Sequence, residues 1–156
     1  MSSETPGNRE PAERPSPELA NHLGYLLKHA RLQMTEFTSA ALAPHGINGR
    51  ELAVLVVLAE GEPASQQQAA GRLGVDRTTM VALIDALEDK GLVTRHPHAD
   101  DRRKNVVELT PTGQDTLRLA GQASDEAERQ FLAPLAEPAA QQFKDVLRTL
   151  VQHHQQ

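Results

Sequence analysis

Cysteine and tryptophan are both absent from this sequence of 156 residues, which also contains only three phenylalanines and one tyrosine. The absence of cysteine excludes disulfide bonds, thiolate nucleophiles and thiol-based redox sensing. With so few aromatic residues, a hydrophobic core has to consist mostly of leucine, valine and alanine, a composition that suits helices.

Long apolar segments are lacking as well. No apolar run approaches the roughly 18 residues of a membrane-spanning helix. The first residues, MSSETPGNREPAERPSPE, have neither the basic flank nor the apolar stretch of a secretory signal. We therefore expect no membrane contact and a cytoplasmic protein.

The most informative stretch, residues 65–110, reads as helix, tight turn, helix and two short strands. Ser65 and Gln68 have the spacing of a capping box, and Gly74 can take the positive φ of a tight turn. Asp76 is a suitable N-cap for the next helix, which we expect over residues 77–90. The apolar positions of that helix recur at three- and four-residue steps: Met80, Leu83, Ile84 and Leu87.

The opposite face of this second helix begins with Arg77 and Thr78, at the end that a recognition helix presents to the major groove. Strands are predicted over residues 92–96 and 105–109, as a two-stranded ribbon with a charged loop between them. A basic hairpin beside a recognition helix suits the minor groove or the phosphate backbone.

Three motifs in this stretch resemble the MarR family of winged helix-turn-helix regulators. They are Gly-Leu-Val-Thr-Arg at residues 91–95, Asp-Arg-Arg at residues 101–103 and Leu-Thr-Pro-Thr-Gly at residues 109–113. Their order and spacing match, and the resemblance covers residues 18–153. It implies a mainly α fold with a small β wing, in which a DNA-binding unit is flanked by N- and C-terminal dimerisation helices.

The chain divides accordingly into four expected segments. These are a disordered tail at 1–17, an N-terminal dimerisation helix at 18–45, a winged helix-turn-helix at 46–110 and C-terminal dimerisation helices at 111–156. The tail has four prolines and almost nothing apolar. Apolar stripes on the flanking helices, such as the one predicted over residues 19–42, need a covering surface, and a second copy would supply it.

The resemblance implies a homodimeric, ligand-responsive repressor that binds a pseudo-palindromic operator. Recognition helix 77–90 would enter the major groove and wing 97–104 the minor groove. The candidate DNA contacts are Arg77, Thr78, Thr79, Arg95, Arg102, Arg103 and Lys104. Asp101 would hold the arginine loop by a charged hydrogen bond. A solvated charge cluster is the alternative interpretation of this hairpin tip.

The net charge of −5 is unusual for a DNA-binding protein, but it is unevenly distributed. Residues 72–104 carry seven basic and six acidic side chains, and residues 90–104 alone carry a net +3. Local potential governs contact, so this distribution is compatible with DNA binding. It predicts a modest salt dependence.

The predicted first helix carries candidate residues for binding an effector. His22, Tyr25 and His29 fall on one face of the predicted first helix, and with Arg50 they would suit a small phenolic or carboxylate anion. A half-buried polar stripe at the domain junction explains the same residues. A zinc site is disfavoured, because cysteine is absent and these helix residues form no His-x-x-x-His or Glu-His pair. His153 and His154 are adjacent but fall at the C-terminus, so we expect neither a metal nor another cofactor.

Two other functions fit the sequence less well. An enzyme is disfavoured because the sequence has no Gly-rich phosphate loop, no His-Glu-x-x-His and no Gly-x-Ser-x-Gly. A winged helix used only for protein contacts has no need of Arg102, Arg103 and Lys104 at its tip.

Overall fold

A computed structural model describes residues 16–153. Residues 1–15, most of the predicted tail, lie outside the described residues. Two compact units divide the chain, one reaching Leu32 and the other beginning at Gln33. The helices are α1 (Pro17–Ala20), α2 (Leu23–Leu42), α3 (Gly49–Ala59), α4 (Gln66–Leu73), α5 (Arg77–Asp89), α6 (Pro111–Leu132) and α7 (Glu137–His153), and the strands are β1 (Ala64–Ser65), β2 (Val93–Pro97) and β3 (Asn105–Leu109).

The first predicted helix is interrupted, so the prediction of one helix over residues 19–42 was wrong. The Ser16 hydroxyl caps α1, which begins inside the segment predicted as tail and ends at Asn21. The Asn21 side chain donates a hydrogen bond to the carbonyl of Pro17 at 3.1 Å. Asparagine competes in this way with helical backbone hydrogen bonds, and α2 starts only after the break.

Helix α3 is buried on most of its surface. A capping box begins this helix, since Asn48 and Glu51 each accept a hydrogen bond from the other's backbone N–H. Val56 is 40% exposed, while its neighbours Val54 and Val57 are buried. Helices α4, α5 and α6 and strand β3 all pack against α3, so its burial does not follow a single stripe.

The helix-turn-helix forms as the sequence predicts. Ser65 and Gln68 make the capping box of α4, and Gly74 takes a left-handed φ of 70° in the turn. Asp76 caps α5, whose core-facing Met80, Ile84 and Leu87 are completely buried. The last helical residue of α5 is Asp89, one residue before the predicted end.

The wing belongs to a sheet of three strands rather than the predicted two. The strand order is β1-β3-β2 and both pairings are antiparallel. Strand β1 was missed because it has only two residues and its partner is distant in sequence, Ala64 pairing with Val107. The extra strand joins the start of α4 to the base of the wing.

The flanking helices expose apolar side chains. On α7, Val146, Leu150 and Val151 are each more than half exposed, and Leu23 of α2 is 68% exposed. Residues 16–153 include no helix that is both long and apolar enough to cross a lipid bilayer.

The junction between the wing and α6 depends on a close backbone approach. Thr110 caps α6 and its hydroxyl also donates to the Gly91 carbonyl at 2.7 Å. The Thr110 N–H donates to the carbonyl of Leu92 at 3.0 Å. A methyl group on Gly113 would overlap the same Leu92 carbonyl. Glycine is therefore required at position 113 because backbone groups meet there.

We expect Gly113→Ala to lower the free energy of unfolding by about 1–3 kcal/mol, because backbone has to move to make room for the methyl group. Gly71→Ala is the matched control, since Gly71 is also helical and has open space around it. The control should be neutral or stabilising by up to about 1 kcal/mol. Urea unfolding followed by far-UV circular dichroism measures both, and equal stability of the two variants would contradict the close approach.

Candidate nucleic-acid interface

The first turn of α5 presents polar side chains to solvent. Arg77 and Thr78 are exposed, whereas Thr79 is half-buried. The Thr79 hydroxyl donates to the Asp76 carboxylate at 2.6 Å, and its backbone N–H donates to the same group at 2.9 Å. These hydrogen bonds lower the pKa of Asp76. Arg77 and Thr78 are thus accessible to a ligand, while the Thr79 hydroxyl is occupied by the cap.

The wing tip carries three exposed basic residues, Arg102, Arg103 and Lys104. The Asp101 carboxylate accepts a hydrogen bond from the backbone N–H of Arg103 at 3.0 Å. The Asp101 carbonyl accepts from the backbone N–H of Lys104 at 2.9 Å. Asp101 therefore binds the backbone N–H groups of Arg103 and Lys104 in the wing loop. Contacts of this kind are expected of a residue that supports the loop.

A polar cleft of about 810 Å³ lies between the helix-turn-helix and the wing. It brings together Arg77 of the recognition helix and Arg103 and Lys104 of the wing, with the start of α4 on another wall. The sequence predicted these basic residues separately, from two different elements. The structure assembles them on one surface that could follow a phosphate backbone.

Arg95 lines the same cleft but is engaged by the protein itself. Its guanidinium forms ion pairs with Asp85 and Glu88 of α5 and is only 20% exposed. Desolvation lowers the pKa of Arg95, but the hydrogen bonds and charges of the two carboxylates outweigh it and raise the pKa overall. The sequence analysis missed Asp85 and Glu88 as partners of Arg95. Their spacing of three residues places both carboxylates on one face of α5, which was a usable signal for a basic partner.

The candidate effector residues fall in different places. Tyr25 and His29 stack on α2 with ring centroids 4.1 Å apart, and His22 lies in the break before α2 rather than on its face. Arg50 is exposed in the first turn of α3 and lines a cleft of about 500 Å³ together with Asp76 and Leu83. Within residues 16–153, no three acidic or histidine side chains cluster as metal ligands would.

Comparison with known proteins decides the family. Residues 45–104 match the MarR family. An HTH-type transcriptional repressor of Mycobacterium tuberculosis is 30% identical over 128 residues, which is 82% of this chain and 92% of the repressor. The chain belongs to the MarR family.

Solved structures of MarR-like regulators share the fold over most of the chain. The transcriptional repressor CouR bound to a 23-mer DNA duplex superposes with a TM-score of 0.82 at 30% identity, covering 90% of this chain and 99% of CouR. CouR from Rhodococcus jostii RHA1 bound to p-coumaroyl-CoA gives a TM-score of 0.74 at 29% identity, covering 86% and 95%. As a MarR-family member, the protein is a DNA-binding transcriptional regulator, and its winged helix-turn-helix contains the polar cleft.

Arg103→Ala should weaken operator binding by about 1–3 kcal/mol while leaving the fold intact, because the side chain is exposed at the wing tip. If Arg103 contacts phosphate, the salt slope of binding should also fall by about 0.9. Fluorescence anisotropy with labelled duplex measures both. Arg118→Ala on α6 removes the same charge outside the wing and is the matched control. Equal affinities of the two variants would contradict the assignment of Arg103.

Proposed function

We propose that the protein is a homodimeric, ligand-responsive repressor that binds a pseudo-palindromic operator. The observation that carries this proposal is the likeness to DNA-bound CouR over almost the whole of that chain, together with an open cleft lined by basic side chains in the winged helix-turn-helix of this protein. This function requires DNA recognition and no catalysis, so we propose that the protein is not an enzyme and that it acts in the cytoplasm, where its DNA target would lie.

In the proposed complex, α5 enters the major groove through its exposed N-terminal turn, and the wing tip reaches the adjacent minor groove. Arg77 and Thr78 are the candidate base or phosphate contacts, and Arg103 is the candidate minor-groove arginine. Arg102 and Lys104 are proposed as backbone contacts. Ala82 is short and exposed at mid-helix, so readout of DNA shape gains importance over direct base contacts.

A dimer accounts for the apolar side chains that one copy leaves exposed. Leucines and valines on α2 and on α7 remain in solvent in the single chain, although each helix is amphipathic. A second copy that covered them would remove this apolar surface from water. The two recognition helices would then address half-sites about one helical turn apart.

The proposed effector is a small phenolic or carboxylate anion. Support comes from the neighbouring rings of Tyr25 and His29 on α2, whose centroids lie 4.1 Å apart. Arg50 is kept as a candidate because its side chain is exposed and positively charged. CouR, a relative of similar fold, is a repressor with a structure bound to p-coumaroyl-CoA. His22 remains a candidate at the start of α2.

The first test is anisotropy of the full chain on labelled duplexes that tile the region upstream of its own gene, with scrambled duplexes as controls, at two salt concentrations. We expect tight binding that prefers one sequence, with two protomers per site. Equal weak binding to every duplex, followed by no enrichment in a genome-wide selection of bound fragments, would contradict the proposal.

Ligand response has its own test, in which p-coumarate and p-coumaroyl-CoA are titrated into the protein–operator complex. We expect at least one of them to release the duplex, and operator DNA to weaken binding of that compound by the same factor, because linkage is reciprocal. His29→Ala should reduce the response while leaving operator affinity in the absence of compound unchanged. Failure of both compounds to bind would contradict this effector class.

A further inference from the structure

Arg95 connects strand β2 of the wing to both helices of the helix-turn-helix. It lies on β2, in register with Val107 of β3. One terminal nitrogen of its guanidinium donates to Glu88 and the other to Asp85, both on α5. In the amide orientation that satisfies Gln66, the first residue of α4, its oxygen accepts from Nε of Arg95 at 2.6 Å.

Together these contacts engage all three nitrogens of the Arg95 guanidinium. Arginine has five N–H donors in a planar fork, and here Nε and both terminal nitrogens already have acceptors within the protein. The wing-tip arginines differ, because Arg102 and Arg103 are exposed whereas Arg95 is mostly covered. A phosphate would have to compete with two carboxylates for Arg95.

The two carboxylates are themselves a problem for DNA binding. Asp85 and Glu88 lie on the recognition helix with side chains 57% and 40% exposed, and an unpaired carboxylate near DNA repels phosphate. Arg95 supplies a positive charge to this pair. Removal of Arg95 would therefore leave the carboxylates of Asp85 and Glu88 without their positively charged partner, and it would also remove the contacts between the wing and the recognition helix.

We propose that Arg95 is a positioning residue that locks the wing to the recognition helix, rather than a phosphate contact. This inference rests on the proposed DNA-binding function. The Arg95 contacts in the middle of β2 would hold the distance between the first turn of α5, at Arg77, and the wing tip, at Arg103. Gln66 extends the same connection to α4.

Two substitutions of Arg95 separate positioning from phosphate contact. Lysine keeps the charge and still binds phosphate as a point charge, but a single ammonium cannot reproduce the planar fork to Asp85, Glu88 and Gln66. We expect Arg95→Lys to lose operator affinity almost as severely as Arg95→Gln, by about 10-fold. Arg118→Lys, the same substitution on α6, should bind as the wild type does.

Specificity distinguishes positioning from a general loss of folded protein. Below the unfolding transition, we expect the ratio of operator to scrambled-DNA affinity to fall in both Arg95 variants. The salt slope of Arg95→Lys should stay at the wild-type value, because no phosphate contact is lost. A phosphate contact predicts a different result: Arg95→Lys would keep full operator affinity, and the salt slope of operator binding by Arg95→Gln would fall by about 0.9. That result would overturn the proposal.

A double-mutant cycle in the free protein tests the contacts without DNA. It compares urea unfolding of Arg95→Gln, of the pair Asp85→Asn with Glu88→Gln, and of all three changes together. We expect the combined loss of stability to be smaller than the sum of the separate losses, since the same contacts are removed. Additive losses would overturn the proposal. Absence of operator preference in the wild type would contradict the proposed function instead, and the cycle would still report on Arg95.

Discussion

The buried carboxylate of Glu51 fixes the far end of the recognition helix. It caps the backbone of Asn48 at the start of α3 and accepts hydrogen bonds from Lys90 at 2.8 and 2.9 Å. The Lys90 ammonium also donates to the carbonyl of Gly46. A buried charge without its partners costs several kcal/mol, so these groups have to stay together. Since Lys90 is the C-cap of α5, its contacts orient the helix from the end opposite Arg77.

The surface proposed to bind DNA combines a helix that is anchored in the core with exposed basic side chains. Met80, Ile84 and Leu87 anchor one face of α5 in the core, while Arg77 and Thr78 remain in solvent. Basic side chains without internal partners are available to release counterions from DNA, and acidic ones nearby reduce that gain. A chain with a net charge of −5 can therefore contain the cleft that is proposed to bind DNA, because basic side chains are concentrated there.

Local signals in the sequence predicted most of the fold, and contacts between distant residues account for what they missed. Capping residues such as Ser65 and Asp76 act within three positions, so their helices were predicted correctly. Strand β1 depends on a partner more than 40 residues away, as Ala64 pairs with Val107. For the site, the basic residues of the cleft were predicted, but the acidic partners of Arg95 were not. The spacing of Asp85 and Glu88 indicates a shared helix face, but it does not show which strand residue packs against that face.

The internal connections constrain how a ligand could act on DNA binding. Within one protomer, the Lys90 contacts hold α5 against α3, and the Arg95 contacts join it to the wing. A ligand shifts an equilibrium only by its different affinity for two states, and a unit tied at both ends offers few alternative internal arrangements. In the proposed dimer, the variable quantity is then the spacing of two such units. An effector bound beside the flanking helices would release DNA by changing that spacing, while each recognition helix and its wing kept their relative positions.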